Sequence, residues 1–326
     1  MSGPALPYSS GNPTSPVRAS ELPLSRHGLD RDYLARARPT LFDELAADPG
    51  TRFLLMWHGN GLLASAAGTR LALVAADAVP AQGLWLYLGR TLTATDGEPA
   101  GTAIVAVVLA DEAAESVSAD RQLWGNLRTV GGSLSDRDAG MLTEALALAN
   151  WHDSHRFSPR TGGPLVPELG GWVRRSEDDE TAIFPRTDPA IIVLITDADD
   201  RILLGSNALW ESNRYSLLAG FVEPGESLEA AVIREVFEES GIRVVNPVYF
   251  GSQPWPFPAS LMVGFRALAD PHSPWTQSPD GAEILDLRWF SRGELGNALG
   301  EIVLPGRTSI ARYMIEDWFG GPIEAT

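Results

Sequence analysis

The chain is 326 residues long, 44% hydrophobic and 21% charged, a mix that supports one large or two ordinary globular domains with a real core. It has no cysteine, which excludes disulfides, thiolate zinc sites and a cysteine nucleophile; all 25 basic residues are arginine, so a side-chain phosphate clamp must use Arg. The net charge of -17 argues against a broad nucleic-acid footprint, although local arginines and bound cations can still serve a small anionic substrate.

Residues 1–20, rich in Pro, Ser and Gly, read as a disordered tail without the apolar stretch of a secretory signal. No apolar run approaches the roughly 18–20 residues needed to span a bilayer, so no membrane partner and a cytoplasmic location are expected. A first domain, residues 21–152, holds short apolar runs at 52–59, 70–76, 84–89 and 103–110, separated by Gly, Asp or Pro and read as strands. Ser135 and Asp138 form a capping pattern, and Leu142, Ala145, Leu146 and Ala149 carry a helix to about His152. This half shows no chemical motif and reads as structural or dimerising. His152 and His155 have metal-ligand spacing, but no further His or Cys lies nearby, and they read as helix-end histidines. Residues 153–187 read as an irregular connector. From residue 188 the texture changes: strands at 190–196 and 201–206 form a hairpin, and 215–221 reads as a third strand. A helix follows over 228–240, stopped by Gly241, then strands at 244–250, 260–267 and 284–290 and a last helix at 309–318. Strands around a central helix predict an α-β-α sandwich in this half, beside a mixed α/β N-terminal domain.

The central helix departs from what folding alone selects. Ser227 is its N-cap, and Leu228, Val232 and Val236 form an apolar row. Glu235, Glu238 and Glu239 converge on one side at i, i+3, i+4. At about 100° per residue, Glu239 falls within about 20° of Leu228, on the apolar side. The acids also crowd the C-terminal turns, where the helix dipole disfavours each by about 0.3–1 kcal/mol. A cation would reverse these penalties, and oxygen-only ligands suit magnesium or manganese. A solvated acidic helix end is the plainer reading.

These residues belong to a longer pattern over 220–242: Gly220, Glu226, Arg234, Glu235, Val236, Glu238, Glu239, Gly241 and Ile242 at fixed spacing. The segment resembles a complete Nudix box. The resemblance implies a Nudix fold and a loop–helix–loop that holds divalent cations, Mg2+ or Mn2+, against a diphosphate and activates a water nucleophile. It implies Glu235 and Glu239 as metal ligands, Glu238 as a further ligand or the general base, Arg234 as the residue fixing the carboxylates, and the Ala219 carbonyl as a further donor. The segment 252–260, Ser-Gln-Pro-Trp-Pro-Phe-Pro-Ala-Ser, resembles the signature of the NADH pyrophosphatase family within that superfamily. It makes Gln253, Pro254, Trp255, Pro256, Phe257, Pro258, Ala259 and Ser260 candidate substrate-binding residues. Prolines would stiffen a loop presenting Trp255 and Phe257 to a base, for about 1–3 kcal/mol of stacking, while Gln253 and Ser260 could bond polar edges of the dinucleotide. The resemblance covers about residue 120 to the end and implies Glu283 as a downstream metal contact, Ala311 as a substrate contact, a Nudix-like N-terminal domain and a homodimer. Many members carry a four-cysteine zinc ribbon; here Ser158, Thr161, Ser176 and Asp179 stand at those positions, so no zinc is expected and packing must hold the connector.

The activity implied is hydrolysis of NADH or NAD to AMP and nicotinamide mononucleotide, with removal of NAD caps from RNA 5′ ends permitted. ADP-ribose, coenzyme A or a dinucleoside polyphosphate is the alternative substrate class. A nucleotide sensor that does not cleave is the alternative in kind.

Overall fold

The computed structural model describes residues 22–95, 97–176, 181–211, 213–273 and 277–324. The expected tail at 1–20 lies outside the described residues, as does Asp179. Among the described residues no helix is long and apolar enough to cross a membrane.

The first domain contains, in chain order, β1 (Leu29–Asp30), α1 (Leu41–Ala47), β2 (Arg52–Trp57), β3 (Asn60–Leu62), β4 (Leu73–Val74), β5 (Leu84–Thr91), β6 (Ala103–Val108), α2 (Asp111–Val117), β7 (Trp124–Asn126), α3 (Leu127–Val130) and α4 (Asp136–Ser154). Its sheet runs β1-β5-β6-β2-β3-β7, with β4 also on β2; β2 and β6 are parallel. The continuous apolar run of β2 is explained by burial of both faces. Phe53, Leu55 and Trp57 pack with Leu41 and Leu45 of α1, and Leu54 and Met56 pack with Leu142, Ala145 and Leu146 of α4. Ser135 caps α4 by accepting from the Asp138 N–H at 3.2 Å, as its sequence predicts, but the helix runs two residues past His152. The expected strand at 70–76 shrinks to β4. The Leu71 N–H goes instead to the buried Asp138 carboxylate at 2.9 Å.

The second domain contains β11 (Asp188–Thr196), β12 (Ile202–Asn207), β13 (Leu218–Phe221), α5 (Leu228–Ser240), β14 (Val244–Trp255), β15 (Ser260–Ala269), β16 (Ile284–Phe290), α6 (Arg292–Ala298) and α7 (Ile310–Phe319). Its sheet runs β14-β15-β11-β12-β16, with β13 also on β11, and β11 and β15 are parallel. One face buries Val232 and Val236 of α5 against Ile191, Val193 and Phe265; the other buries Ile310, Met314 and Ile315 of α7 against Ile192, Leu194 and Leu204. This is the expected α-β-α sandwich.

Strand for strand, β2 to β7 repeat the path of β11 to β16. The copies differ where it counts: α5 lies between β13 and β14, whereas a three-residue 3-10 turn, Ala76–Ala78, lies between β4 and β5. The first copy therefore has no helix on which to gather carboxylates.

The connector is not irregular. Leu165–Glu168 (β8), Val173–Ser176 (β9) and Ala182–Ile183 (β10) form an antiparallel sheet. Its organiser is Arg174 of β9, whose guanidinium donates to the Leu165 carbonyl at 2.6 Å, the His152 carbonyl at 3.0 Å and His152 Nδ1 at 2.8 Å. Arginine can only donate, so Nδ1 is the acceptor and Nε2 carries the proton, which it gives to the Gly171 carbonyl at 2.8 Å. Periodicity could not reveal this sheet, because its order comes from one buried arginine. Ser158, buried at a cysteine position, spends its hydroxyl accepting from the N–H groups of Arg160 and Thr161 at 3.2 and 3.3 Å.

Candidate active site

The box occupies the end of β13, the turn after it and α5. Ser227 caps α5 by accepting from the Ala230 N–H at 3.1 Å, and Gly241 ends it in a left-handed conformation, φ 69°, that favours glycine. Gly220 is fixed by a close approach: a Cβ there would fall inside the Glu235 carboxyl group.

Arg234 is the hub of the loop. It grips Glu226 with two bonds of 2.8 and 2.9 Å, reaches Glu235 and Glu238 at 2.9 Å each, and donates to the Phe221 carbonyl at 3.0 Å. The bidentate Arg234 and the Glu223 N–H hold the Glu226 carboxyl down at about 2. Arg234 thus ties the turn to the helix.

The three helix acids separate by environment. Glu238 is exposed beside Arg234, whereas Glu235 and Glu239 turn inward. Glu239, 4% exposed, is the buried one, on the apolar side as the helical wheel predicts. Burial pushes its carboxyl up to about 8, aided by the charges of Glu283, Glu235 and Asp280 and opposed by a bond from the Ala219 N–H. Its Oε2 has no hydrogen-bond partner. Burial also raises Glu235, against the pull of Arg234. Glu283 reaches this cluster from the residue before β16 and is held at both backbone ends. Its N–H donates to Asp280 Oδ1 at 2.9 Å and its carbonyl accepts from the Ala208 N–H at 2.8 Å. Ala219, Glu235, Glu239 and Glu283 are therefore neighbours. Asp280, which sequence reading passed over, gathers three N–H groups, from Ala282, Glu283 and Ile284; its signal was the Ser-Pro-Asp-Gly turn at 278–281.

Among the described residues no three acidic or imidazole groups form a ready-made metal shell. The donor set nonetheless fits a hard divalent cation: oxygen ligands only, one buried carboxylate oxygen without a partner, and mutual repulsion that a cation would cancel.

The aromatic signature is not a loop. Ser252 to Trp255 are the end of β14, which outruns its expected end at residue 250, and 256–259 are the turn into β15. Ala190 of β11 pairs with Phe221 of β13 on one side and Met262 of β15 on the other. The box loop and the hairpin tip thus leave the sheet at the same end. Trp255 and Phe257 meet edge to face with centroids 4.9 Å apart and pack on the core of the first domain. Pro254 and Pro258 are exposed, Pro256 is buried, and Ala259 and Ser260 are half-buried. The Ala259 carbonyl is taken by the Asp188 N–H at 2.8 Å.

Two expected substrate contacts have other occupations. Gln253, 0% exposed, donates to the Thr308 carbonyl at 2.9 Å and accepts from the Leu24 N–H at 3.4 Å, so its amide fastens the N-terminal segment and the 308 turn. Ala311 is buried in the core under α7, and its N–H donates to the Ser309 cap at 3.2 Å. Neither side chain offers a free atom to a substrate. Conversely, Phe221 is 58% exposed where the box loop begins, a flat face that the sequence alone did not single out.

The NUDIX domain family model matches residues 186–313, and the model of the NADH pyrophosphatase-like rudimentary NUDIX domain matches residues 50–151. A protein of Mycobacterium bovis (strain BCG / Pasteur 1173P2) called NAD-capped RNA hydrolase NudC is 39% identical over 307 residues, 90% of this chain and 94% of that protein. The chain belongs to the NADH pyrophosphatase family of Nudix hydrolases. A further relative, the NAD-capped RNA hydrolase of Schizosaccharomyces pombe, is 34% identical over 66% of this chain and 65% of its own length. Among solved structures, a NUDIX hydrolase from Nitrosomonas europaea covers 51% of this chain and 94% of its own at 23% identity and TM-score 0.41. Membership explains the duplicated sheet: the first domain is a Nudix fold without the Nudix helix.

Proposed function

We propose that this Nudix hydrolase splits the diphosphate of NADH and NAD, yielding AMP with reduced nicotinamide mononucleotide from NADH and the oxidised mononucleotide from NAD, and removes NAD caps from RNA 5′ ends. The observation that carries the reading is the buried, partnerless Glu239 oxygen among Glu235 and Glu283, at the same sheet end as the Trp255–Phe257 hairpin. A bound Mg2+ or Mn2+ would supply charge neutralisation of the diphosphate oxygens. Glu235, Glu239, Glu283 and the Ala219 carbonyl would hold it. Arg234 fixes the loop so that these groups need little rearrangement when charge develops on the substrate. Glu238, exposed and hinged on Arg234, is the group free to take a proton from an attacking water. Phe221, Trp255 and Phe257 offer aromatic faces to the bases. The names of the two relatives support the RNA reading, and a single 5′ end needs little of the basic surface that a charge of -17 denies.

Incubation with NADH, ADP-ribose and NAD-capped RNA, each with Mg2+ or Mn2+, tests the proposal. AMP from NADH and a freed 5′ end from the RNA are expected; faster turnover of ADP-ribose than NADH would overturn the substrate assignment. We place a homodimer and a cytoplasmic setting in the same proposal. The dimer is supported by β14 being an edge strand with Val248 and Tyr249 each 49% exposed, and sedimentation measures it.

A further inference from the structure

The hairpin tip belongs to the catalytic domain, but the groups that hold it come from the other one. Arg128, in the short helix α3 of the first domain, lays its guanidinium over the Phe257 ring at 3.9 Å and over the Trp255 ring at 5.1 Å. Among the described residues no carboxylate pairs with it, although the chain carries 42 acids. Burial lowers its pKa, so the cation is partly stripped of water where its attraction to a ring face is strongest. Asn150, on α4, donates from Nδ2 to the Pro256 carbonyl at 2.9 Å and the Pro258 carbonyl at 3.1 Å, bracketing Phe257 from its backbone. The Arg128 carbonyl accepts from the Thr308 hydroxyl at 3.4 Å, and the Thr308 carbonyl accepts from Gln253, four residues before Phe257. Side chain and backbone of the tip are thus fixed by one domain while the metal cluster is fixed by the other.

We infer that Arg128, assisted by Asn150, is a positioning residue for substrate selection: by holding the Trp255–Phe257 pair, the first domain sets the preference for a substrate whose second ribose carries a flat nicotinamide ring. Arg128 touches no reacting atom. Its effect falls on the affinity for dinucleotides and much less on diphosphates that end in a sugar. The inference rests on the proposed substrate reading, in which the aromatic pair meets the base.

The test uses the full chain with Mg2+, comparing kcat and KM for NADH and ADP-ribose in wild type, Arg128→Met, Arg128→Lys and Asn150→Ala. Methionine keeps the stem and removes the charge; lysine restores a cation. For Arg128→Met, kcat/KM on NADH is expected to fall about tenfold, mainly through KM, and on ADP-ribose by less than about threefold. Arg128→Lys recovers much of the NADH preference, and Asn150→Ala lowers it in the same direction. An equal loss on both substrates with a lowered Tm, or an unchanged ratio in Arg128→Met, overturns the positioning role while leaving the substrate reading in place. A wild type that does not favour NADH over ADP-ribose sinks the substrate reading and the inference with it.

Discussion

His152 gives the connector a pH limit that can be measured. It is 2% exposed, between the Gly171 carbonyl and the Arg174 guanidinium, and burial lowers its pKa from the ordinary 6.5 to about 4, with the adjacent Arg174 charge pushing the same way. A proton added at Nδ1 would point at a guanidinium that has nothing to accept it. Between about pH 6.5 and 4 the unfolded chain binds this proton and the folded chain does not. The contribution is fully present above 6.5 and lost as pH falls through that window. At about 1.4 kcal/mol per pH unit, the step from pH 6.5 to 5 removes about 2 kcal/mol. Replacing His152 with Gln keeps a neutral donor and acceptor and removes the titration. Urea unfolding of both proteins at pH 7 and pH 5 isolates this one group, since all others cancel in the difference. The stability difference between wild type and His152→Gln should change by about 2 kcal/mol, against the wild type at pH 5. Parallel pH curves would refute the assignment of a buried neutral imidazole as the connector's fastening.

Further expectations concern the second domain. Glu239→Gln should abolish most NADH turnover; it should also raise the stability of metal-free protein at pH 7 by up to about 3 kcal/mol, because a carboxyl raised to about 8 destabilises the folded state progressively from pH 4.5 upward. Denaturation in chelator, with and without added Mn2+, reads both effects, and a variant no more stable than wild type contradicts the burial argument. Gly220→Ala should cost at least tenfold in kcat, since Glu235 must leave its seat; unchanged kinetics would show that Glu235 acts from elsewhere. Gln253→Ala should lower stability by about 1–3 kcal/mol through two buried partners left unpaired. A variant with unchanged Tm but a raised KM for NADH would return Gln253 to the substrate.

The second domain was legible because its constraints are local. The Ser227 cap, the Gly241 stop and the apolar row fixed α5 to the residue, and the helical wheel alone put Glu239 in the interior. The pattern also marked the strand at 284–290, whereas Glu283 just before it was singled out only through the family resemblance. What stayed hidden depends on contacts distant in sequence. Gln253 looks like a ligand-binding amide until Leu24 and Thr308 are brought to it. The connector sheet has no alternation to read, because Arg174 binds carbonyls on two other elements. Arg128 carries no motif at all; its meaning appears only when a hairpin whose Phe257 lies 129 residues later folds against it.

The duplicated sheet suggests why this arrangement persists. The proposed catalytic carboxylate cluster is costly to its own fold, because burial raises Glu239 and Glu235. A second sheet of the same path that lacks the helix carries none of that strain. It holds the hairpin through Arg128 and Asn150, which leaves the other copy to carry the acids of the proposed cation site. On this view stability and chemistry are divided between two copies of one topology. Stabilising substitutions in α4 should then sharpen substrate selection without slowing turnover, whereas equivalent substitutions in α5 should trade activity for stability.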